Sequence, residues 1–194
     1  MSELWDAEAA AFDDEPDHGL RDPATREAWR ALLRRHLPAP PARIADLGCG
    51  TGTLSVLLAD EGYAVDGVDF SSQMVARARA KAGDRDDVGF VVADAGRPPL
   101  SAGAYDVVLS RHVLWALPDP AAALARWVDL LARDGRLLLI EGQWSTGAGL
   151  TAERTTALVE GAGLTASVRP LSDSVYWGKR IDDERYVVVG RRRP

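Results

Sequence analysis

At 194 residues, with 46% apolar and 27% charged content, the chain has the size and composition of one globular domain with a sizeable core. Its net charge of -6 argues against a nucleic-acid partner, and the terminal Arg191-Arg192-Arg193 run is too short to supply a basic face, so it reads as a solvated tail. The lone Cys49 excludes an intrachain disulfide and suits a reducing cytoplasm; no apolar run is long enough to span a bilayer, no secretory segment is recognisable, and no HExxH, paired CxxC or His cluster offers a metal site.

Ser2 to Phe12 reads as a short helix with Trp5, Ala9 and Phe12 on roughly one face. The polar, Pro- and Gly-broken run from Asp13 to Gly19 reads as a loop. A second helix is expected from Asp22-Pro23, where Asp caps and Pro suits the first turn, ending before Pro38. Beyond the stiff Pro38 to Pro41 connector, a first strand (Ile44, Leu47) runs into a glycine-rich turn and the helix-forming Leu54 to Ala59. The pattern then alternates: strand Ala64 to Asp69, helix Ser71 to Lys81, strand Val88 to Ala93, loop Gly96 to Gly103, strand Tyr105 to Ser110, helix Pro120 to Ala132, strand Arg136 to Glu141. Short continuous apolar strands between helices indicate a parallel sheet covered on both faces, an α/β layer fold. The end of the chain differs. Helix Thr151 to Ala162 is followed by strands Thr165 to Pro170 and Arg185 to Arg191, joined without a helix and therefore expected to pair antiparallel.

The stretch Ile44 to Thr53, IADLGCGTGT, is the organising element. A strand that turns this tightly into a helix needs residues without Cβ where φ is positive and a ligand comes close. The free N–H groups and positive dipole end of the following helix offer a place for an anion. The spacing Asp46-x-Gly48-x-Gly50-x-Gly52 fails the dinucleotide fingerprint, since its third glycine falls on Thr53 or Ser55, and no lysine is present for a P-loop.

In an open parallel sheet, ligands bind beyond the carboxyl ends of the strands. Those ends carry Asp46 and the glycines, Asp69 and Phe70, Asp94 and Ala95, Ser110, Arg111 and His112, and Glu141 with Trp144. Asp69, 17 positions beyond Gly52, is placed to accept from the two hydroxyls of a ribose, with helix capping as the plainer alternative. Asp94 is a candidate acceptor for an exocyclic amino group such as that of adenine. Phe70 and Met74 suit either a sandwich around a flat base or the core.

With these residues the sequence resembles the class I S-adenosylmethionine-dependent methyltransferases of the small soluble type, whose first motif takes the form DLGCGTG. The likeness extends through VDGVDFSSQM, VVADAGRPPL, YDVVLSRHVLWALPDP and LLARDGRLLLIEG. It implies a three-layer Rossmann-like fold with a seven-stranded, mostly parallel sheet and an antiparallel last strand. One methyltransferase domain would then fill residues 1–194: a helical cap over 1–40, a cofactor-binding core over 41–142, and a C-terminal helix with the last two strands over 143–194. The resemblance places Gly48, Cys49, Gly50 and Gly52 beneath the methionine part of S-adenosylmethionine, with Asp46 near its amino group. It gives Asp69 the ribose, Phe70 and Met74 the faces of the adenine, and Asp94 with Ala95 its edge. Ser110 and Arg111 would line the methionine end, and Trp5, Phe12 and His18 would belong to a cover.

Methyl transfer is an in-line displacement for which alignment and exclusion of water matter most. If the acceptor must lose a proton, His112 and Glu141 are the candidate bases, either of which also suits a structural role. Trp115, Trp144 and Trp177 are candidates to line the acceptor pocket. Beside Asp173, Asp182 or Asp183 they would suit a cationic amine; Arg111 would instead clamp a carboxylate or phosphate. No long insert follows the fifth strand, which favours a small-molecule acceptor (N or O) under a small lid, no nucleic-acid or membrane partner, and a cytoplasmic monomer or homodimer. The other readings are a cofactor-binding protein without turnover and a methyltransferase acting on a macromolecule.

Overall fold

The computed structural model describes residues 2–193. Helix α1 (Ser2–Glu8) stops short of Phe12, and the expected loop winds into a 3-10 turn at Phe12–Asp14 and a one-turn helix α2 (Pro16–Gly19). The His18 imidazole accounts for the compact path: its Nδ1 lies 3.2 Å from the Phe12 carbonyl oxygen and its ring stacks on Phe12 at 4.2 Å. Helix α3 (Pro23–His36) starts as its sequence dictates. The Asp22 side chain accepts from the Thr25 N–H at 2.8 Å, Pro23 occupies the first turn, and Arg34, Arg35 and His36 close the negative end of the dipole.

From there strands and helices alternate: β1 (Arg43–Leu47), α4 (Thr53–Ala59), β2 (Ala64–Asp69), α5 (Ser72–Ala82), β3 (Val88–Val92), β4 (Tyr105–Arg111), α6 (Pro120–Leu130), β5 (Leu131–Gln143), α7 (Ala152–Gly161), β6 (Leu164–Pro170) and β7 (Glu184–Arg192). They form one seven-stranded sheet in the order β3-β2-β1-β4-β5-β7-β6. β7 alone runs against the others, antiparallel to both β5 and β6, while β1 to β5 pair in parallel. This is the Rossmann-like methyltransferase architecture. The strand order reverses between β1 and β4, so the ends carrying the glycine turn and Arg111 open the crevice where α/β sheets take ligands.

Side-chain alternation divides the core into two layers. Ile44, Val107, Leu109, Leu138, Ile140 and Val187 pack with Leu32 and Leu33 of α3 and Leu54, Leu57 and Leu58 of α4. Ala45, Leu47, Val108, Leu137, Leu139 and Val188 pack with Leu124 and Trp127 of α6 and Val159 of α7. β5 begins at Leu131 rather than at Arg136 because Leu131 already pairs with Tyr105, ahead of an irregularity between Tyr105 and Val107. The segment between β6 and β7 is anchored to α3. Trp29 Nε1 donates to the Tyr176 carbonyl at 2.8 Å, Trp177 Nε1 to that of Leu171 at 2.8 Å, and the two indoles meet edge to face at 5.7 Å. Among the described residues no helix is long and apolar enough to cross a membrane.

Leu109 is fully buried at the centre of the sheet. Leu109→Ala is expected to lower unfolding stability by ~2–5 kcal/mol, read from urea denaturation followed by tryptophan fluorescence. A loss below ~1 kcal/mol would contradict its place in a close-packed central strand.

Candidate active site

The turn from β1 into α4 is pinned to the end of β2. The Gly48 and Cys49 N–H groups donate to the Val68 carbonyl at 2.7 and 3.0 Å, and the Gly50 N–H donates to Asp69 Oδ2 at 2.9 Å. Asp69 Oδ1 accepts from the Ser71 N–H at 2.9 Å, so one carboxylate fixes both the turn and the start of α5. All three glycines have positive φ, but they differ in what a side chain would strike. A Cβ on Gly48 would lie 2.2 Å from Val113 Cγ2, and one on Gly52 would lie 2.8 Å from Ala78 Cβ. A Cβ on Gly50 would project toward the Phe12 ring at 3.3 Å, on the open side of the turn.

Above this turn lies a cavity of about 750 Å³. Asp46, Gly48, Cys49, Gly50, Asp69, Phe70, Met74, Asp94, Ala95 and Arg111 line one part of it, with Trp5, Phe12 and His18 closing over them. Two residues expected here do not line it. Gly52 is the N-cap of α4 and packs beneath the turn. Ser110 is fully buried and donates through Oγ to the Leu47 carbonyl at 2.9 Å, tying β4 to β1.

Burial governs the charges at this end. It pushes Asp46 up to about 6, against a 2.6 Å hydrogen bond from Ser55 Oγ and the nearby Arg111 cation. It also raises Asp69, against the N–H bonds from Ser71 and Gly50, and holds the Cys49 thiol well above its ordinary range. Asp69 accepts one bond at each oxygen, and an ionised carboxylate offers about four lone-pair sites, so capacity remains for a diol.

The other part of the cavity is aromatic. His112, Trp115, Trp144 and Trp177 line it together with Asp183 and Arg185. His112 has φ of 60°, a strained conformation for a residue with a side chain, held by its N–H to the Ile140 carbonyl at 2.8 Å and by Trp115 Nε1 donating to its own carbonyl at 2.9 Å. Its ring meets Trp144 at 5.2 Å and Trp177 at 5.9 Å, and Nδ1 is buried without a partner. Burial first, then the positive charges of Arg111 and Arg185, hold the imidazole well below its usual range, so it is neutral at pH 7.

The acids expected beside the tryptophans are engaged elsewhere. Asp173 caps a 3-10 turn through the Val175 N–H, and Asp182 is exposed near Arg180. Asp183 is bound to Arg185 Nη2 at 2.9 Å and to the Ser145 N–H at 2.6 Å. The indole faces are covered by the protein's own cation, since the Arg185 guanidinium lies 4.8 Å from the Trp144 ring centre and 5.4 Å from that of Trp177. Glu141 stands off the cavity. Its Oε1 accepts from the Val113 and Leu114 N–H groups at 3.1 and 2.9 Å, anchoring the loop that carries His112, while Oε2 has no partner.

The cap is clamped by contacts that sequence patterns do not announce. Asp13 pairs with Lys81 at 2.9 Å and accepts from Thr51 Oγ1 at 2.5 Å, and Asp6 accepts from Ser71 Oγ at 2.6 Å. Arg111 donates to the Asp17 carbonyl and lies over the Trp29 ring at 5.1 Å.

A layered parallel sheet with a cavity at its switch point, acids at one end and a glycine turn beneath, defines an α/β protein that binds a nucleotide-type cofactor. Residues 45–139 match the family described as "Methyltransferase domain". The chain is 37% identical over 114 residues to demethylmenaquinone methyltransferase of Beutenbergia cavernae, covering 58% of this chain and 46% of that one. It is 41% identical over 113 residues to trans-aconitate 2-methyltransferase of Streptomyces avermitilis, covering 55% and 42%. It thus spans less than half the length of these two relatives. The magnesium protoporphyrin IX methyltransferase of Synechocystis PCC 6803, solved with bound S-adenosylmethionine, superposes with a TM-score of 0.69 at 23% identity, covering 87% of this chain and 82% of that one. Residues 45–139 thus carry a methyltransferase domain on the fold shared with S-adenosylmethionine-dependent methyltransferases, and S-adenosylmethionine is the cofactor of that family.

Glu141 has a sign-definite consequence for stability. Burial pushes it up to about 8 from an ordinary 4.5, against its two backbone N–H bonds. The folded chain therefore holds a proton that the unfolded chain releases, and this contribution is lost as pH rises toward 8. Glu141→Gln is expected to remove a slope of up to ~1.4 kcal/mol per pH unit from the pH dependence of unfolding between 4.5 and 8, measured by urea titrations at several pH values. An identical pH dependence in the two proteins would contradict the buried, protonated carboxyl.

Proposed function

We propose that this chain transfers the methyl group of S-adenosylmethionine to a small-molecule acceptor at N or O. The observation that carries the reading is the continuous cavity, in which the glycine turn and acids of one part open onto the aromatic part around His112. Its volume falls within the range of ligand pockets of roughly 300–1,000 Å³. A small acceptor is supported by the enclosure of the cavity under the N-terminal turns and the segment before β7, and by the names of the two relatives, which refer to demethylmenaquinone and trans-aconitate. In this reading residues 1–194 work as one unit, with 1–40 as cap, 41–142 as cofactor core and 143–194 completing the acceptor side. The unpaired Cys49 thiol and the acidic charge fit a cytoplasmic setting.

The residues fit the cofactor. Asp69 would accept from the ribose hydroxyls, and Phe70 and Met74 would flank the adenine, with Asp94 and Ala95 at its edge. The open face of Gly48, Cys49 and Gly50 would pass beneath the methionine part, with Asp46 near the amino group. Phe12 over Gly50 closes the site from above. The bound cofactor supplies an already activated methyl group. What the chain adds is alignment and exclusion of water, worth ~7–11 kcal/mol in favourable cases. A neutral His112 is in the state needed to take a proton from an acceptor N–H or O–H.

Asp69→Ala is expected to weaken S-adenosylmethionine binding by about tenfold or more, corresponding to loss of charge-assisted hydrogen bonds. Unchanged affinity in titration calorimetry would sink the ribose assignment. Asp46 must be ionised to hold an ammonium group, so affinity should fall as pH drops below about 6, and Asp46→Asn should lose that dependence. His112→Ala should lower turnover by roughly 10²–10⁴-fold with cofactor affinity retained. The reading as a whole is tested by incubating the protein with methyl-labelled S-adenosylmethionine and pooled small acids, phenols and amines. Label in an organic product supports it; cofactor binding without any labelled product favours a binding protein without turnover.

A further inference from the structure

We propose that the acceptor is a flat small molecule bearing an anionic oxygen group, a carboxylate in the first instance, and that Arg185 is the residue that selects it. This deepens the methyl-transfer reading and rests on it.

Arg185 is built into the wall. It is the second residue of β7 and pairs with Gly142 of β5. A Cβ on Gly142 would lie 2.7 Å from Arg185 Cδ and 3.0 Å from Nη1, so the glycine leaves room for the arginine to lie across the strand. The side chain is 8% exposed yet lines the cavity, stacked on Trp144 and Trp177. Its hydrogen-bonding capacity is far from filled. A guanidinium has five N–H donors in a planar fork. Here Nη2 reaches Asp183, Nη1 has only the Glu184 carbonyl at the 3.5 Å limit, and Nε has no partner. Donors left unpaired in a buried site are costly, and a planar oxyanion matches the fork.

The surrounding charges point the same way. Arg111 also lines the cavity, a second cation, with Asp17, Asp46 and Asp13 near it. Asp183, the acid beside Arg185, is already paired. A cationic acceptor brought to the Trp144 and Trp177 faces would meet Arg185 already stacked there and be repelled. A flat acid would place its oxygens against the guanidinium and its apolar body along Trp115 and Trp144, whose rings are 5.3 Å apart. Asp46, Asp69 and Asp94 line the cofactor part together with Arg111, Glu15 and Asp17 belong to the cover with Lys179 paired to Glu15, and the aromatic part holds Arg185 with Asp183.

The test uses three probes of similar shape: benzoate, its neutral amide benzamide, and the benzyltrimethylammonium cation. Each is titrated into the wild-type protein, with and without S-adenosylhomocysteine, and binding is read from tryptophan fluorescence. Benzoate should bind tighter than benzamide by about tenfold or more, with the cation weakest. Arg185→Gln should bring benzoate and benzamide within about twofold of each other while leaving S-adenosylhomocysteine affinity intact. Arg185→Lys, which keeps the charge and loses the planar fork, should restore part of the preference. If Arg185→Gln fails to bind S-adenosylhomocysteine through misfolding, the wild-type probe series still decides. The proposal is overturned if the wild-type protein shows no preference for benzoate, or if that preference survives in folded Arg185→Gln. Failure of the wild-type protein to bind S-adenosylhomocysteine would count against the methyl-transfer reading instead.

Discussion

One buried carboxylate sets the geometry on which the site depends. Asp69 accepts from the Gly50 N–H with one oxygen and from the Ser71 N–H with the other, joining the glycine turn, the end of β2 and the start of α5. The turn alone would be a poor anchor, because glycines lose more conformational freedom on folding than any other residue. The Val68 carbonyl and Asp69 compensate by taking three successive N–H groups of the turn. With the turn fixed, Gly52 becomes a packing contact against Ala78 and Phe90, while Gly48, against Val113, and Gly50, against Phe12, face the cavity.

The same ends of the sheet explain why the cavity has two characters. Asp46, Asp69 and Asp94 stand at or just beyond the carboxyl ends of β1, β2 and β3, Arg111 ends β4 with His112 next to it, and Arg185 is the second residue of β7, beside β5. Arg111 thus stands with the acids of the cofactor part, and Arg185 reaches the aromatic part from β7. The N-terminal turns close the space because they are tied on two sides, through Asp13 to Lys81 and Thr51 and through Asp6 to Ser71. Arg111 connects that cover to the core, with its guanidinium on the Asp17 carbonyl and the Trp29 ring.

Much of the fold is legible in the sequence, because strand and helix periods are local properties. The strand Ala64 to Asp69 and the Asp22-capped helix appear where their patterns put them, and the antiparallel pairing of the last strands follows from the lack of a crossover helix. Departures arise where long-range contacts decide. The start of β5 depends on Leu131 pairing with Tyr105, and the path of residues 9–19 on the stacking of His18 and Phe12. The acidic and glycine part of the site was readable because motif spacing reports it, but spacing does not say which way a side chain faces. Ser110, next to the cavity-lining Arg111, points to the Leu47 carbonyl, and Glu141 points to the Val113 and Leu114 N–H groups. Arg185 carried no local signal: three acids precede it at Asp182 to Glu184, and only the sheet brings it to Trp144 and Trp177.

The glycine turn and the Asp69 carboxylate are proposed to form an S-adenosylmethionine site. Calorimetric titration of S-adenosylhomocysteine into the purified protein tests it most directly. Saturable single-site binding in the micromolar range is the predicted result. No heat of binding from a protein that is folded by circular dichroism would contradict the account.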